Sequence, residues 1–291
     1  MAGAAVAGPA AAGGVFRESV DWRLAAPLGL TYLIFFAAPF FVLLGISFFN
    51  DIDLTEPGVG SWVKFYTDPF YLKVIFDTLK LGVFAVIATT ILAYPLALAF
   101  RAASPRMQQV LLFIILMPLL TSVVIRTFAW IVILAREGVA NQMLMGLGLT
   151  SAPLNLLQTE LGLVIALTQI EMPLMLLPLL TVMRQIDPNL VDASRALGAS
   201  KWRTFFRVVL PLSLPGWIAG ATLVFASACT AFISQSVIGG ARLVYLPSLI
   251  WQQWVVVYNW PFAAVASLTL LFTVLSGIML LSVFGRFAKT N

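Results

Sequence analysis

The sequence has no histidine and a single cysteine, Cys229, and only 10% of its 291 residues are charged. Each shortage excludes something. Without histidine there is no His-centred triad and no His-ligated zinc or haem, and one cysteine supports neither a multi-Cys metal site nor a disulfide framework. No metal, no cofactor and no catalytic residue is therefore expected. A soluble domain carries roughly 25% charged residues, so the charge here is too sparse to cover a water-exposed globule. Hydrocarbon fills the chain instead: 61% of residues are hydrophobic and the mean hydropathy is +0.99. That composition belongs in lipid and sets soluble enzymes aside. A net charge of +5 and a pI near 9.6 would suggest nucleic acid in a soluble chain. In a membrane protein the location of the basic residues matters more than their sum.

A helix needs about 20 apolar residues to cross about 30 Å of hydrocarbon. Six such runs occur, approximately Leu24 to Phe49, Val74 to Phe100, Gln109 to Leu134, Leu161 to Met183, Leu210 to Ile233 and Phe262 to Phe284. The expected fold class is all-α, a polytopic integral membrane protein with six transmembrane helices over 24–284. The Ala/Gly-rich N-terminus lacks the basic n-region of a signal peptide, and 1–23 reads as a disordered cytoplasmic tail, with 285–291 a short C-terminal one. Six crossings place both termini on one side. Eleven of the 17 Lys and Arg fall there: Arg17, Arg23, Arg101, Arg106, Arg184, Arg195, Lys201, Arg203, Arg207, Arg286 and Lys289. The other side holds Lys64, Lys73, Arg136 and Arg242 among carboxylates that include Asp51, Asp53 and Glu56. By the positive-inside rule both termini are cytoplasmic. The basic pI reports topology, and no nucleic acid is expected as a partner.

The cytoplasmic segment 184–209 is long and patterned. Asp187-Pro188 reads as a cap followed by Pro at the first helical position, and Gly198 as a helix stop. Lys201-Trp202-Arg203-Thr204-Phe205-Phe206-Arg207 then alternates basic and aromatic groups up to Pro211. An interfacial anchor and a docking surface both fit this composition.

Asp192-Ala193-Ser194-Arg195-Ala196-Leu197-Gly198, nine residues, then Val208-Val209-Leu210-Pro211 resembles the EAA loop of binding-protein-dependent ABC importer permeases of type I. The family pattern is Glu-Ala-Ala, three residues, Gly, nine residues, then Ile-x-Leu-Pro. Met117-Pro118 with Thr121 to Trp130, Pro173 to Leu179, Leu210 to Gly216 and Ile238-Gly239-Gly240 are similar to the spermidine/putrescine-type permeases. The sequence departs from them at Thr230 to Ser236, where the family commonly has an acidic residue, Phe and a Pro-Asp pair.

The resemblance implies a permease subunit in a bacterial plasma (inner) membrane that forms half of a translocation pathway for a small polar solute, a polyamine or related amino compound. It implies three kinds of partner besides membrane lipid: cytoplasmic ATP-binding subunits, a second permease subunit in a heterodimer, and an extracytoplasmic solute-binding protein. Asp192, Ala193, Ser194, Ala196, Gly198, Leu210 and Pro211 would form the ATPase-coupling loop. The chain has no Gly-x-x-x-x-Gly-Lys-Ser/Thr phosphate loop, so ATP must be hydrolysed by a separate subunit. A stand-alone secondary transporter or channel driven by an ion gradient is the competing reading.

Ionisable groups in the bilayer cost roughly 2.5–3.5 kcal/mol each at the centre on insertion scales. Arg126 and Glu171 sit well inside their runs, and a register-fixing ion pair, a lining of the substrate pathway or simple snorkelling accounts for them. Pro173 and Pro178 free backbone carbonyls beside Glu171, which is tolerable only where protein or a water-filled cavity satisfies them. Arg126, Glu171, Pro173 and Pro178 are thus the pathway candidates. Asp77 and Lys80 are expected to pair locally at i, i+3 spacing. Trp62, Tyr66, Phe70, Tyr71, Trp251, Trp254, Tyr258 and Trp260 are expected in an interfacial aromatic belt, or in part as a seat for the binding protein, with Asp51, Asp53 and Glu56 at its rim.

Overall fold

The computed structural model describes residues 22–287, and side chains within 26–283. The tails expected at 1–23 and 285–291 lie for the most part outside these residues. The described chain is nearly all helical and divides into two units at Gly45/Ile46. Helix α1 (Trp22–Ile46) belongs to the first and is apolar throughout, with Pro27 and Pro39 inside it.

The second unit begins with a loop and a short helix, α2 (Gly60–Thr67). Asp68 then caps α3 (Pro69–Ala102) by accepting from the Phe70 amide at 2.8 Å, and Pro69 occupies the first turn, where no N–H is needed. At 1.5 Å per residue the 34 residues of α3 extend about 51 Å, so its ends project beyond the hydrocarbon.

The third apolar run does not form one straight span. It is α4 (Pro105–Leu116), a 3₁₀ turn over Met117–Leu120, and α5 (Val123–Leu134), with a 100° bend between the two arms. Pro118 has no N–H to continue the helix. The Thr121 hydroxyl donates to the Met117 and Pro118 carbonyls at 3.1 and 3.2 Å, holding the turn that ends this arm.

After α6 (Val139–Gly146), α7 (Glu160–Gln185) runs through both of its prolines. Then come α8 (Pro188–Ala196), α9 (Lys201–Thr204), a π turn over Phe205–Val209, and α10 (Leu210–Thr230). The wide turn carries the helix through Pro211, so α9 and α10 form one continuous rod instead of an interfacial helix followed by a span. The expected fifth span also ends early. At Ala231 the backbone leaves helical geometry (ψ 59°) before α11 (Phe232–Gly239). Gln235 makes this break possible by donating its amide to the Ala228 and Cys229 carbonyls at 2.8 and 3.3 Å. Helices α12 (Leu246–Trp251) and α13 (Trp260–Phe287) complete the chain. Among the described residues, five helical segments are long and apolar enough to cross a membrane, or six if the bent pair counts as one.

The core lies where α3, α7 and α10 meet, with α13 against them. Leu81, Leu167, Met175 and Leu179 are fully buried there. Helices α7 and α10 touch backbone to backbone: a Cβ added at Gly216 would lie 2.8 Å from the Pro178 carbonyl oxygen, and one at Gly220 2.9 Å from that of Met175. Small residues allow this approach, and in lipid such packing replaces the hydrophobic drive that water would supply. A second, smaller core of Phe65, Val74, Leu246, Leu249 and Phe262 closes the N-terminal end of α3. The half-buried Tyr71 packs against it, 4.8 Å from Phe262 and 5.3 Å from Phe65.

Candidate functional site

The α8–α9 hairpin is built by capping. Asp187 accepts from the Asn189 amide at 2.9 Å and Pro188 opens α8. At the other end Gly198 adopts φ +80°, its amide donates to Arg195 at 2.9 Å, and the Ala199 amide donates to Ser194 at 3.1 Å. These two bonds close a Schellman motif. Ser200 then caps α9 by accepting from the Arg203 amide at 3.3 Å. Ser194 and the buried Thr204 bond through their hydroxyls at 3.1 Å, locking the two helices together. The tip is left bare: Asp192, Ala193 and Ala196 are exposed and Leu197 is 89% exposed. A shallow groove of about 410 Å³ runs beside it between Leu190, Ala193, Leu197 and Arg203. Leu210 and Pro211 lie in the rod, away from the tip, where Tyr94 of α3 meets the Phe205 ring edge-on at 5.7 Å and the Ser213 hydroxyl at 3.1 Å.

Arg126 and Glu171 come near one another without a direct ion pair. The Arg126 guanidinium donates to the Ile170 carbonyl at 3.2 Å, in the turn of α7 that precedes Pro173. Glu171 is buried, with Ser227 and the Arg126 charge near it. Polar groups that sequence reasoning passed over join them. Trp130 donates to Gln169 at 3.1 Å, the Thr127 and Ser234 hydroxyls meet at 3.1 Å, and Gln235 is fully buried. The result is a polar layer shared by α5, α7, α10 and α11. A lone Ser, Thr or Gln in an apolar run carries no period or spacing that would single it out.

At the N-terminal end of α3 the expected Asp77–Lys80 pair forms at 4.0 Å, and two further pairs join it: Asp77 with Lys73, and Lys80 with Glu160 on α7 at 2.8 Å. Helix α7 brings Glu160 there, a contact with no sequence spacing to announce it. Gly240 (φ +59°) turns the chain at the end of α11.

Asp51 was expected at an outer rim, but its carboxylate is turned onto its own loop. It accepts from the Thr55 hydroxyl at 2.6 Å and from the Glu56 and Thr55 amides at 2.8 and 3.0 Å. The Thr55 hydroxyl and then these amides hold its pKa down at about 2, from 3.8. A folded pKa below the unfolded one gives stability that is full above about pH 4 and is lost as pH falls toward 2. Amide exchange at Thr55 and Glu56 is expected to stay slow down to pH 3, and Asp51→Asn to accelerate it at neutral pH. Protection that titrates at the ordinary carboxylate value would contradict this.

Residues 93–288 match the family of binding-protein-dependent transport system inner membrane components. The spermidine/putrescine transport system permease protein PotB of Haemophilus influenzae is 32% identical over 267 residues, 89% of this chain and 91% of that protein. A crystal structure of a bacterial ABC transporter involved in the import of the acidic polysaccharide alginate superposes with a TM-score of 0.73 at 19% identity, covering 91% of this chain and 96% of that one. A second structure, of the bacterial alginate ABC transporter in complex with an alginate pentasaccharide-bound periplasmic protein, gives 0.70 at 19% identity over 92% and 93%. The match covers the hairpin, the polar layer and the core that joins them, and the chain belongs to the binding-protein-dependent family of multi-pass bacterial inner-membrane ABC importer permeases.

Proposed function

We propose that this permease forms half of an ATP-driven import path for a polyamine or related amino compound, with the α8–α9 hairpin as the seat of a cytoplasmic ATP-binding subunit. The bare hairpin tip carries the reading: small, exposed Ala193 and Ala196 permit close approach, and Asp192 offers a carboxylate to basic groups on the partner. Shape dominates such a contact, since exposed ion pairs contribute only about 0–1 kcal/mol. Residues 24–284 cross the membrane six times, with the bent α4–α5 pair as the third crossing, and both termini and 184–209 face the cytoplasm. A second permease subunit supplies the other half in a heterodimer. An extracytoplasmic binding protein delivers solute, as the solved alginate complex illustrates for its own system. ATP is hydrolysed outside this chain. Closure of the ATP-binding subunits would move the hairpins together and rock the α3–α7–α10 core between inward-open and outward-open states.

The substrate class rests on the likeness to PotB, because the same fold also serves an alginate importer. Within the path, Glu171 is the buried carboxylate able to attract an ammonium group, with Arg126 as its counter-charge and Pro173 and Pro178 shaping α7 around it. A charged hydrogen bond contributes about 1.5–3 kcal/mol. Glu171→Gln is therefore expected to reduce putrescine or spermidine uptake at least about tenfold while the variant still co-purifies with its ATPase and partner permease. Unchanged uptake would remove Glu171 from the path, and loss of assembly would make it structural. Uptake that survives vanadate but collapses with a protonophore would overturn the ATP-driven reading.

A further inference from the structure

We infer that the ends of α3 and α7 beside the hairpin form a binding site for the phosphate of an anionic phospholipid. A cavity of about 240 Å³ lies between α3, α4 and α7, lined by Arg101, Arg184, Gln108 and an apolar floor that includes Phe100, Leu180 and Met183. Among the described residues no carboxylate lines it. Both arginines are held in place rather than free to follow solvent. The Arg184 guanidinium lies 4.8 Å over the Phe100 ring, and Arg101 donates one N–H to the Ile186 carbonyl at 3.1 Å. A guanidinium has five N–H donors in a fixed fork, so each retains donors for the bidentate geometry that phosphate oxygens fit.

The depth is right for a headgroup. Arg101 closes the last turn of α3 and Arg184 the last turn of α7, where the apolar runs end. Met183, Phe100 and Leu180 lie on the hydrocarbon side and are buried. A charged mouth over an apolar floor matches a lipid whose phosphate meets the arginines while its glycerol and first methylenes lie against the floor. Basic pockets between transmembrane helices are a recurring form of lipid recognition. Scattered basic residues on a cytoplasmic face satisfy the positive-inside rule without converging on one cavity, and this convergence is what calls for a ligand.

The test uses the whole transporter, purified with its ATPase and partner permease, reconstituted with phosphatidylglycerol or phosphatidylcholine, and examined by native mass spectrometry. Retention of phosphatidylglycerol over phosphatidylcholine is expected. Each arginine near a membrane surface is worth about fivefold in binding, so Arg101→Gln with Arg184→Gln should reduce that retention by about 25-fold. Arg184→Gln alone leaves the Arg101–Ile186 bond intact and should show the single fivefold step if the double variant does not fold. Phosphatidylglycerol retained by the wild type in the presence of millimolar inorganic phosphate supports a lipid ligand; displacement by phosphate alone would assign the pocket to a free anion and overturn the proposal. Equal retention by wild type and variants would also overturn it. So would a variant that keeps its lipid but loses its ATPase, since the pocket would then hold an acidic side chain of that partner. Lipid retention does not depend on which solute is imported, so failure here leaves the substrate reading untouched.

Discussion

Gly198→Val is expected to abolish ATP-driven uptake and stimulation of the ATPase while leaving the chain inserted at wild-type level. Gly198 sits at φ +80°, a region that costs an L-residue about 1–2 kcal/mol and is a true outlier for a β-branched one. No heavy atom lies within 4 Å of a Cβ built there, so the valine meets no obstacle within the chain and the transmembrane core has no reason to fail. The strain is released by moving the hairpin: the Ala199–Ser194 and Gly198–Arg195 bonds open and the bare tip changes course. Gly198→Asn, whose side chain tolerates the left-handed region, should keep a large share of uptake and separates backbone geometry from side-chain bulk. The measurement is uptake and ATPase stimulation in proteoliposomes alongside membrane abundance. Normal coupling by the valine variant would show that the hairpin is not the transmission element.

The opposite pattern is expected at Gly220. Gly220→Leu should lower the yield of monodisperse permease about tenfold or more, with transport lost as a consequence of misassembly. A Cβ at this position meets the Met175 carbonyl oxygen at 2.9 Å, its Cα at 3.0 Å and its sulfur at 2.8 Å. The sulfur can swing aside, but the backbone of α7 cannot. Overpacking of a filled core typically costs about 1–3 kcal/mol, and a residue as large as leucine here must part the two central helices along the face that Gly216 shares. Gly29→Leu in α1 is the control, since no atom lies within 4 Å of its built Cβ. A Gly220→Leu protein with wild-type thermal stability and uptake would refute close α7–α10 contact.

These two glycines differ in how far the sequence announces them. Gly198 stands at a fixed place in a pattern that includes Asp187-Pro188 before it and Leu210-Pro211 after it, and capping chemistry is local, so the turn it makes is readable from neighbours. Gly216 and Gly220 lie four apart in an apolar run, which permits close packing without naming the partner. The break between α4 and α5 was half visible in Pro118, yet α7 continues through Pro173 and Pro178, so whether a span ends near a proline depends also on what meets the carbonyls at the helix end, here the Thr121 hydroxyl. The break at Ala231 had no glycine or proline to mark it. Gln235, five residues after the last residue of α10, satisfies those carbonyls from across a fold in the chain.

Composition and the period of apolar runs by themselves determined that the chain belongs in lipid and about how many times it can cross, because hydrocarbon thickness sets the length of a run, and the turns of 184–209 were readable because helix capping acts over a few residues. Tertiary structure alone decided that Lys80 takes Glu160, that Arg126 bonds the α7 backbone beside Glu171, and that Arg101 and Arg184 share a cavity. Those contacts join helices far apart in sequence, and side-chain reach between packed helices is set by crossing geometry that no spacing along one chain encodes.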